Sequence, residues 1–191
     1  VAVAFGGKDQ TDPKLTGDGN HGAIVTWSAY TTSSQEAHIF AQRIDATGTL
    51  AWSQEVQVSS SEQFESNPCI TGDGSGGAYI AWAFYNNGQY DVFAQRLDSG
   101  GAPQWQIGGI GIATGTASEA SPVLVADGTG KAFLAWHDWG FGSASVVQIA
   151  VLNPDGSTAA SLRATSTSGG QENPRLSNLS LIHISEPTRP Y

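Results

Sequence analysis

Three stretches of this chain repeat one pattern: TGDGNHGAIVTW at 16–27, TGDGSGGAYIAW at 71–82 and VADGTGKAFLAW at 125–136. Pro13, Pro68, Pro122 and Pro174 recur at intervals of 55, 54 and 52 residues. Asp18, Asp73 and Asp127 keep the same step, as do Trp27, Trp82 and Trp136. A second line repeats in the same frame, IFAQRIDATGTLAW at 39–52 against VFAQRLDSGGAPQW at 92–105. Its third copy, VQIAVLNPDGSTAA at 147–160, keeps the turn glycine and loses Gln, Arg and Trp. A period of this kind marks a supersecondary unit that buries its faces against copies of itself.

Each unit reads as four strands. The first runs from the proline for about five residues (PKLTG, PCITG, PVLVA), and a turn containing Asp-Gly follows it, a strong hairpin signal between apolar runs. The second is AIVTW, AYIAW or AFLAW, apolar on both faces, which a half-exposed sheet would not tolerate. The third is HIFAQRID or DVFAQRLD, and the fourth ends near EVQVS or GIGIA. Glycine, at 24 of 191 residues, supplies the positive φ that such turns need. The apolar runs are short and bounded by breakers, so helical phase fails.

Four antiparallel strands in some 54 residues is the arithmetic of a β-propeller blade, roughly the kelch period of about 50. A β-sandwich would not need so strict a period, and a solenoid rung is usually shorter. The expectation is an all-β fragment of a β-propeller. It has three complete four-stranded antiparallel blades, at 13–67, 68–121 and 122–173, with partial blades at both ends. VAVAFGGKDQTDP aligns with VQVSSSEQFESNP (56–68), which makes 1–12 the end of a preceding blade, and 174–178 starts a further one.

The pattern P-x-[LI]-x-x-DG-x-G-[GK]-A-x-x-x-W followed by FAQR[IL]D-x-x-G-x-x-x-W resembles the propeller repeats of large exported bacterial proteins, over residues 1–178. The resemblance implies an extracellular or cell-envelope location and assigns no chemistry. Residues 179–189, LSLIHISEPTR, resemble instead the translation of a transposase-based sequencing adapter. Residues 179–191 are therefore read as an artefactual tail, and the missing blades of the same chain as the partners of the end faces.

Charge and cysteine narrow the partners. A net charge of −9 argues against nucleic acid, which would call for a basic stripe. No apolar stretch approaches the roughly 18 residues of a membrane span, so no membrane insertion is expected. Cys69 is the only cysteine, so no internal disulfide can form.

Most motifs read as structure. GDGSGG (72–77) superficially matches a serine-protease signature, but the aligned copies GDGNHG and ADGTGK carry no serine at that place. Asp18, Asp73 and Asp127 offer too few side-chain oxygens for a calcium loop, which takes about 6–8, and read as turn formers. No metal or cofactor is expected. Arg43 and Arg96 recur at one place on strand three. They read as structural pairs with a repeat aspartate such as Asp45 or Asp98, or with carbonyls between blades, rather than as an anion grip. Trp27, Trp82 and Trp136 read as blade-packing residues.

The residues that differ between copies are more informative. Tyr30, Tyr85 and Trp139 lie three past the repeated tryptophan, in the segment read as a loop between strands two and three. Phe84, Tyr90, His137, Asp138 and Phe141 lie nearby. That face also carries the links between blades, SSSEQFESN, ATGTASEAS and STSGGQEN. Variable loops on a rigid scaffold are where binding usually sits. The eight residues together read as a ligand face for a glycan or a protein, with no catalytic residue named. His137 and Asp138 are the only candidates for acid–base work, and a glycosidase needs a second carboxylate that the sequence does not nominate. Two functions follow: a non-catalytic propeller module of an exported protein, or the incomplete catalytic propeller of a glycosidase or polysaccharide lyase.

Overall fold

The computed structural model describes residues 2–4, 9–30, 36–61, 63–141, 144–165 and 174–177, the side chains of Phe141 and Ala144 apart. The tail at 179–191 lies outside the described residues, as do Val1 and residues 5–8 of the expected preceding blade. Among the described residues there is no helix, so none that could cross a membrane.

The first sheet holds β1 (Gln10–Gly17), β2 (Ala23–Tyr30), β3 (Ala37–Ile44) and β4 (Val56–Gln57). The second holds β5 (Glu65–Gly72), β6 (Ala78–Asn86), β7 (Gln89–Leu97) and β8 (Ile110–Ala113). The third holds β9 (Glu119–Ala126), β10 (Ala132–Phe141), β11 (Ala144–Leu152) and β12 (Thr158–Arg163). Each is an antiparallel meander in chain order, as the repeat requires. The second sheet lies between the other two.

Strand one begins three residues before the proline, not at it. A proline cannot donate to the ladder, and a bulge accommodates it. Thr11 faces Ser28 and Lys14 faces Thr26, so Asp12 and Pro13 together oppose Trp27. The same shift falls between Ser66 and Cys69 and opposite Trp136. The residue before each proline takes a left-handed φ: 53° at Asp12, 53° at Asn67 and 55° at Ser121.

Strand two also runs further than the sequence implies. Tyr30, Phe84, Tyr85 and Trp139 lie on β2, β6 and β10 rather than in loops, and β6 meets β7 through the tight turn Asn87–Gly88, both at positive φ. An Asn-Gly pair suits the twist of the flanking strands.

Two apolar interfaces join the sheets. Ile24, Ile39, Ala41, Trp52 and Val58 of the first pack against Ala78, Ile80, Trp82 and Leu97 of the second. The opposite face of the second sheet presents Ala81, Val92 and Ala94 to Leu134, Trp136, Ala150 and Leu152 of the third. Both faces of strand two are therefore covered, which explains why it is apolar throughout. Along the inner edge, Thr16 Oγ1 accepts from Gly72 N at 3.1 Å and Thr71 Oγ1 accepts from Ala126 N at 3.1 Å, one step along the repeat.

The repeated arginines are structural: carbonyls of the next sheet hold them as one reading of the sequence had it, and the aspartates are Asp18 and Asp73 rather than Asp45 and Asp98. Arg43 donates through Nε and Nη2 to Asp18 Oδ2 at 3.0 and 2.8 Å, and Arg96 donates likewise to Asp73 Oδ2 at 3.2 and 2.8 Å. The strand register makes the choice: Arg43 pairs with Ile24 and Arg96 with Tyr79, beside the Asp-Gly turn. The other oxygen of each aspartate closes its own turn, accepting from Asn20 and Gly22 or from Ser75 and Gly77.

Each guanidinium also reaches the next sheet, Arg43 Nη1 to Ser99 O at 2.9 Å and Arg96 Nη1 to Pro154 O. Trp52 and Trp105 donate to the same two carbonyls. Asp73 is almost fully buried, so Arg96→Ala strands its charge. We expect a loss of about 2–4 kcal/mol in chemical denaturation, and a loss under about 1 kcal/mol would contradict this reading.

Candidate functional site

One position of the repeat behaves differently in its two described interfaces. Glu65 opens β5 and Glu119 opens β9, each at the first place of strand one and paired with strand two, Glu65 with Phe84 and Glu119 with Asp138. Both are buried.

Glu65 is satisfied by the preceding sheet. Ser59 Oγ donates to Glu65 Oε2 in a short hydrogen bond, and His38 Nδ1 sits 3.3 Å from the same oxygen. Ser59 in turn accepts from Ile39 N at 2.9 Å. Burial pushes the Glu65 carboxyl up, and hydrogen bonds from Ser59, Ser61 and His38 pull it back.

Glu119 has none of these neighbours. Register places Asp91 where His38 stood, two residues before the strand-three phenylalanine, and Ala113 where Ser59 stood. Its own cross-strand partner has changed from Phe84 to Asp138. Glu119 Oε2 is buried without a hydrogen-bond partner among the described residues. Desolvation, then the charges of Asp138 and Asp91, push its carboxyl up to about 7 against the downward pull of the Gly115 and Glu119 backbone N–H groups.

The two aspartates are held in place. Asp138 accepts from Gly140 N at 2.7 Å and Gln148 Nε2 at 3.2 Å, and Asp91 from Asn86 Nδ2 and Gln89 Nε2. The segment beside Glu119 is pinned from both sheets: Gln89 Nε2 donates to Gly115 O, Tyr90 N to Ser118 Oγ, and Trp139 N to Ser118 O. A carboxyl with a raised pKa beside two other carboxyl groups can give a proton to a leaving oxygen while a neighbour stabilises positive charge or activates water. Among the described residues no group of three or more His, Cys, Asp or Glu has the geometry to hold a metal ion.

The structure divides the sequence-derived face. Tyr85 and Tyr90 are cross-strand partners with rings 5.2 Å apart edge-on, on the side of the second sheet that meets the third. Asp138 continues the Leu134–Trp136 side of β10 towards them, next to Glu119. His137 and Trp139 stack at 4.1 Å on the opposite side of that strand, as the pleat requires. His137 is buried with no partner for Nε2 among the described residues, while Trp139 is 44% exposed. Phe84 packs into the first interface, 4.8 Å from Phe93, and Tyr30, at the end of β2, lies against Phe64. Phe141 ends β10, and its side chain lies outside the described residues.

Glu119 and Asp91 escaped the sequence reading. Glu119 sits in a segment read as a link between blades, and Asp91 in a strand read as packing. The signal was present in the repeat alignment: the place of His38 turns acidic in the next copy, and so does the place of Phe84 in the one after.

No family model matches the chain, and no curated protein matches it in sequence. Solved structures do. A family 117 glycoside hydrolase of the marine bacterium Zobellia galactanivorans matches with TM-score 0.50 at 12% identity, over 79% of this chain and 54% of its own. A Hadza microbial sialidase gives 0.52 at 14%, over 78% and 37%. A thermostable family-43 glycoside hydrolase gives 0.51 at 12%, over 91% and 64%. The chain spans less than two thirds of the length of each. At these identities the likeness establishes the fold alone: three consecutive four-stranded sheets of the propeller type found in glycoside hydrolases.

Proposed function

We propose that this chain carries acid–base residues of a glycoside-hydrolysing propeller, with Glu119 as the general acid and Asp138 and Asp91 as its carboxylate partners. The observation that carries the reading is the exchange at one repeat position. A glutamate hydrogen-bonded by Ser59 and His38 in one interface stands against two aspartates in the next. A purely structural copy would have kept its partners, because a buried unpaired carboxyl costs stability. Glycosidic bond cleavage needs this kind of pair, a carboxylic acid with a raised pKa and a second carboxylate.

Tyr85 and Tyr90 flank the cluster and would stack on a sugar ring, and Trp139 would serve a more distant part of the ligand. The structural neighbours that are named glycoside hydrolases support a catalytic role over a non-catalytic glycan-binding module. The resemblance to exported repeats fits action on a polymer outside the cell.

Turnover is the test, on a panel of 4-nitrophenyl α- and β-glycosides covering pentoses and hexoses, with the parent chain and Glu119→Gln side by side. Release of nitrophenol by the parent and its loss in the variant would support the reading. No release across the panel, or release that survives in Glu119→Gln, would contradict it.

A further inference from the structure

The proline-led strands β1, β5 and β9, with residues 174–177, line a groove of about 650 Å³. It runs past Lys14 and Leu15, then Cys69 and Ile70, then Val123 and Leu124, and ends at Arg175 and Leu176. The residue after the repeat proline therefore faces it four times: lysine, cysteine, valine, arginine. Among the described residues, Lys14 and Arg175 are the charged side chains that line the groove, and no described carboxylate lines it. In a chain with 17 acidic and 8 basic residues, that is a local reversal of sign.

The lysine's charge reaches inward. The Lys14 ammonium acts on the Cys69 thiol, although burial outweighs it and pushes that thiol up to about 12, which removes Cys69 as a nucleophile near neutral pH. Neutral donors and acceptors stand between the two cations, at Asn67, Ser121 and Ser177. Leu15, beside Lys14, is 72% exposed and offers apolar surface at the groove. The other repeat arginines cannot contribute, because Arg43 and Arg96 are bound to Asp18 and Asp73 at the Asp-Gly turns.

We propose that this groove is a second ligand site, which takes an organic anion: an apolar or sugar-like body along the leucine and isoleucine walls, with its carboxylate or sulfate paired with the Lys14 ammonium or the Arg175 guanidinium. The volume suits a small organic molecule better than a bare ion, since ligand pockets run from about 300 to 1,000 Å³. A guanidinium fork and an ammonium point charge can each hold an oxyanion. Glu119, Asp138 and Asp91 do not line the groove, so the proposal stands whether or not the acid cluster is catalytic.

The test is ligand-observed NMR with the full chain and three probes: glucuronate, glucose and inorganic sulfate. Glucuronate is expected to bind, glucose at least tenfold more weakly, and the double substitution Lys14→Gln with Arg175→Gln to reduce glucuronate binding at least tenfold. Lys14→Arg, which keeps the charge, is expected to retain it, and matching circular dichroism spectra check that the variants fold. Equal binding of glucose and glucuronate, binding unchanged in the double variant, sulfate binding without glucuronate binding, or no glucuronate binding at millimolar concentration would each overturn the proposal.

Discussion

Glu119→Gln is expected to lower glycoside turnover by about 10²- to 10⁴-fold, the range for loss of a positioned general acid. The same change should make the protein more stable above neutral pH. Glutamine keeps the shape of the side chain and offers N–H donors to Asp138 and Asp91, where the glutamate offers them a third negative charge.

The sign follows from linkage. The carboxyl titrates at about 7 in the fold against an ordinary value of 4.5, so the folded state holds its proton more tightly than the unfolded one. Its contribution to stability is complete below about pH 4.5 and is lost as pH rises through 7. Above that, the parent carries a buried anion among anions. Allowing for screening by water, the gap between variant and parent should grow by about 1–2 kcal/mol from pH 4.5 to 8. The activity of the parent should fall on the alkaline side with the same midpoint. A variant that is both inactive and less stable at every pH would point to a structural glutamate instead.

Trp82→Ala is expected to cost about 3–5 kcal/mol, enough to remove most of the stability of a domain of this size. Trp82 has no exposed surface and sits in the first interface between sheets, with Ile80 beside it and Ile24, Ile39 and Val58 across from it. Its ring also meets Gly109, where an added Cβ would come within 2.5 Å of the indole. The site is filled to the backbone and cannot collapse cheaply. Trp27 occupies the same repeat place, but on the outer face of the first sheet with Phe40, Val25 and Ala4, so Trp27→Ala should cost less than half as much. Urea midpoints with unchanged slopes measure both. Equal losses, or a Trp82→Ala loss below about 1.5 kcal/mol, would contradict the side-by-side packing of the sheets.

Much of the fold was legible because the repeat imposes one period on turns, strands and packing residues alike. The Asp-Gly turns, the doubly covered strand two and the role of the three tryptophans all follow from what a short apolar run between breakers can do. Strand ends were less legible. The prolines look like starts, yet the bulge at Asp12–Pro13 and its copies lets pairing continue back to Gln10, Glu65 and Glu119.

That same displacement hid the acid cluster. A glutamate three residues before a proline looks like linker polarity until the register sets it opposite Asp138. The arginine partners were misplaced for a similar reason: Asp45 and Asp98 are near in sequence, but register sets Arg43 beside Asp18 and Arg96 beside Asp73. Periodicity shows what the copies share, whereas the cluster arises where they differ, across two sheets, and only pairing brings those differences together.

The most direct measurement is the titration of the Glu119 carboxyl itself, by carbon-detected NMR of the side chain with the Gln variant for assignment. A midpoint near 7 in the parent, falling towards the ordinary carboxylate range in Asp138→Asn and Asp91→Asn, is the predicted result. A midpoint at or below about 4.5, or one indifferent to both substitutions, would contradict the acid cluster on which the functional reading stands.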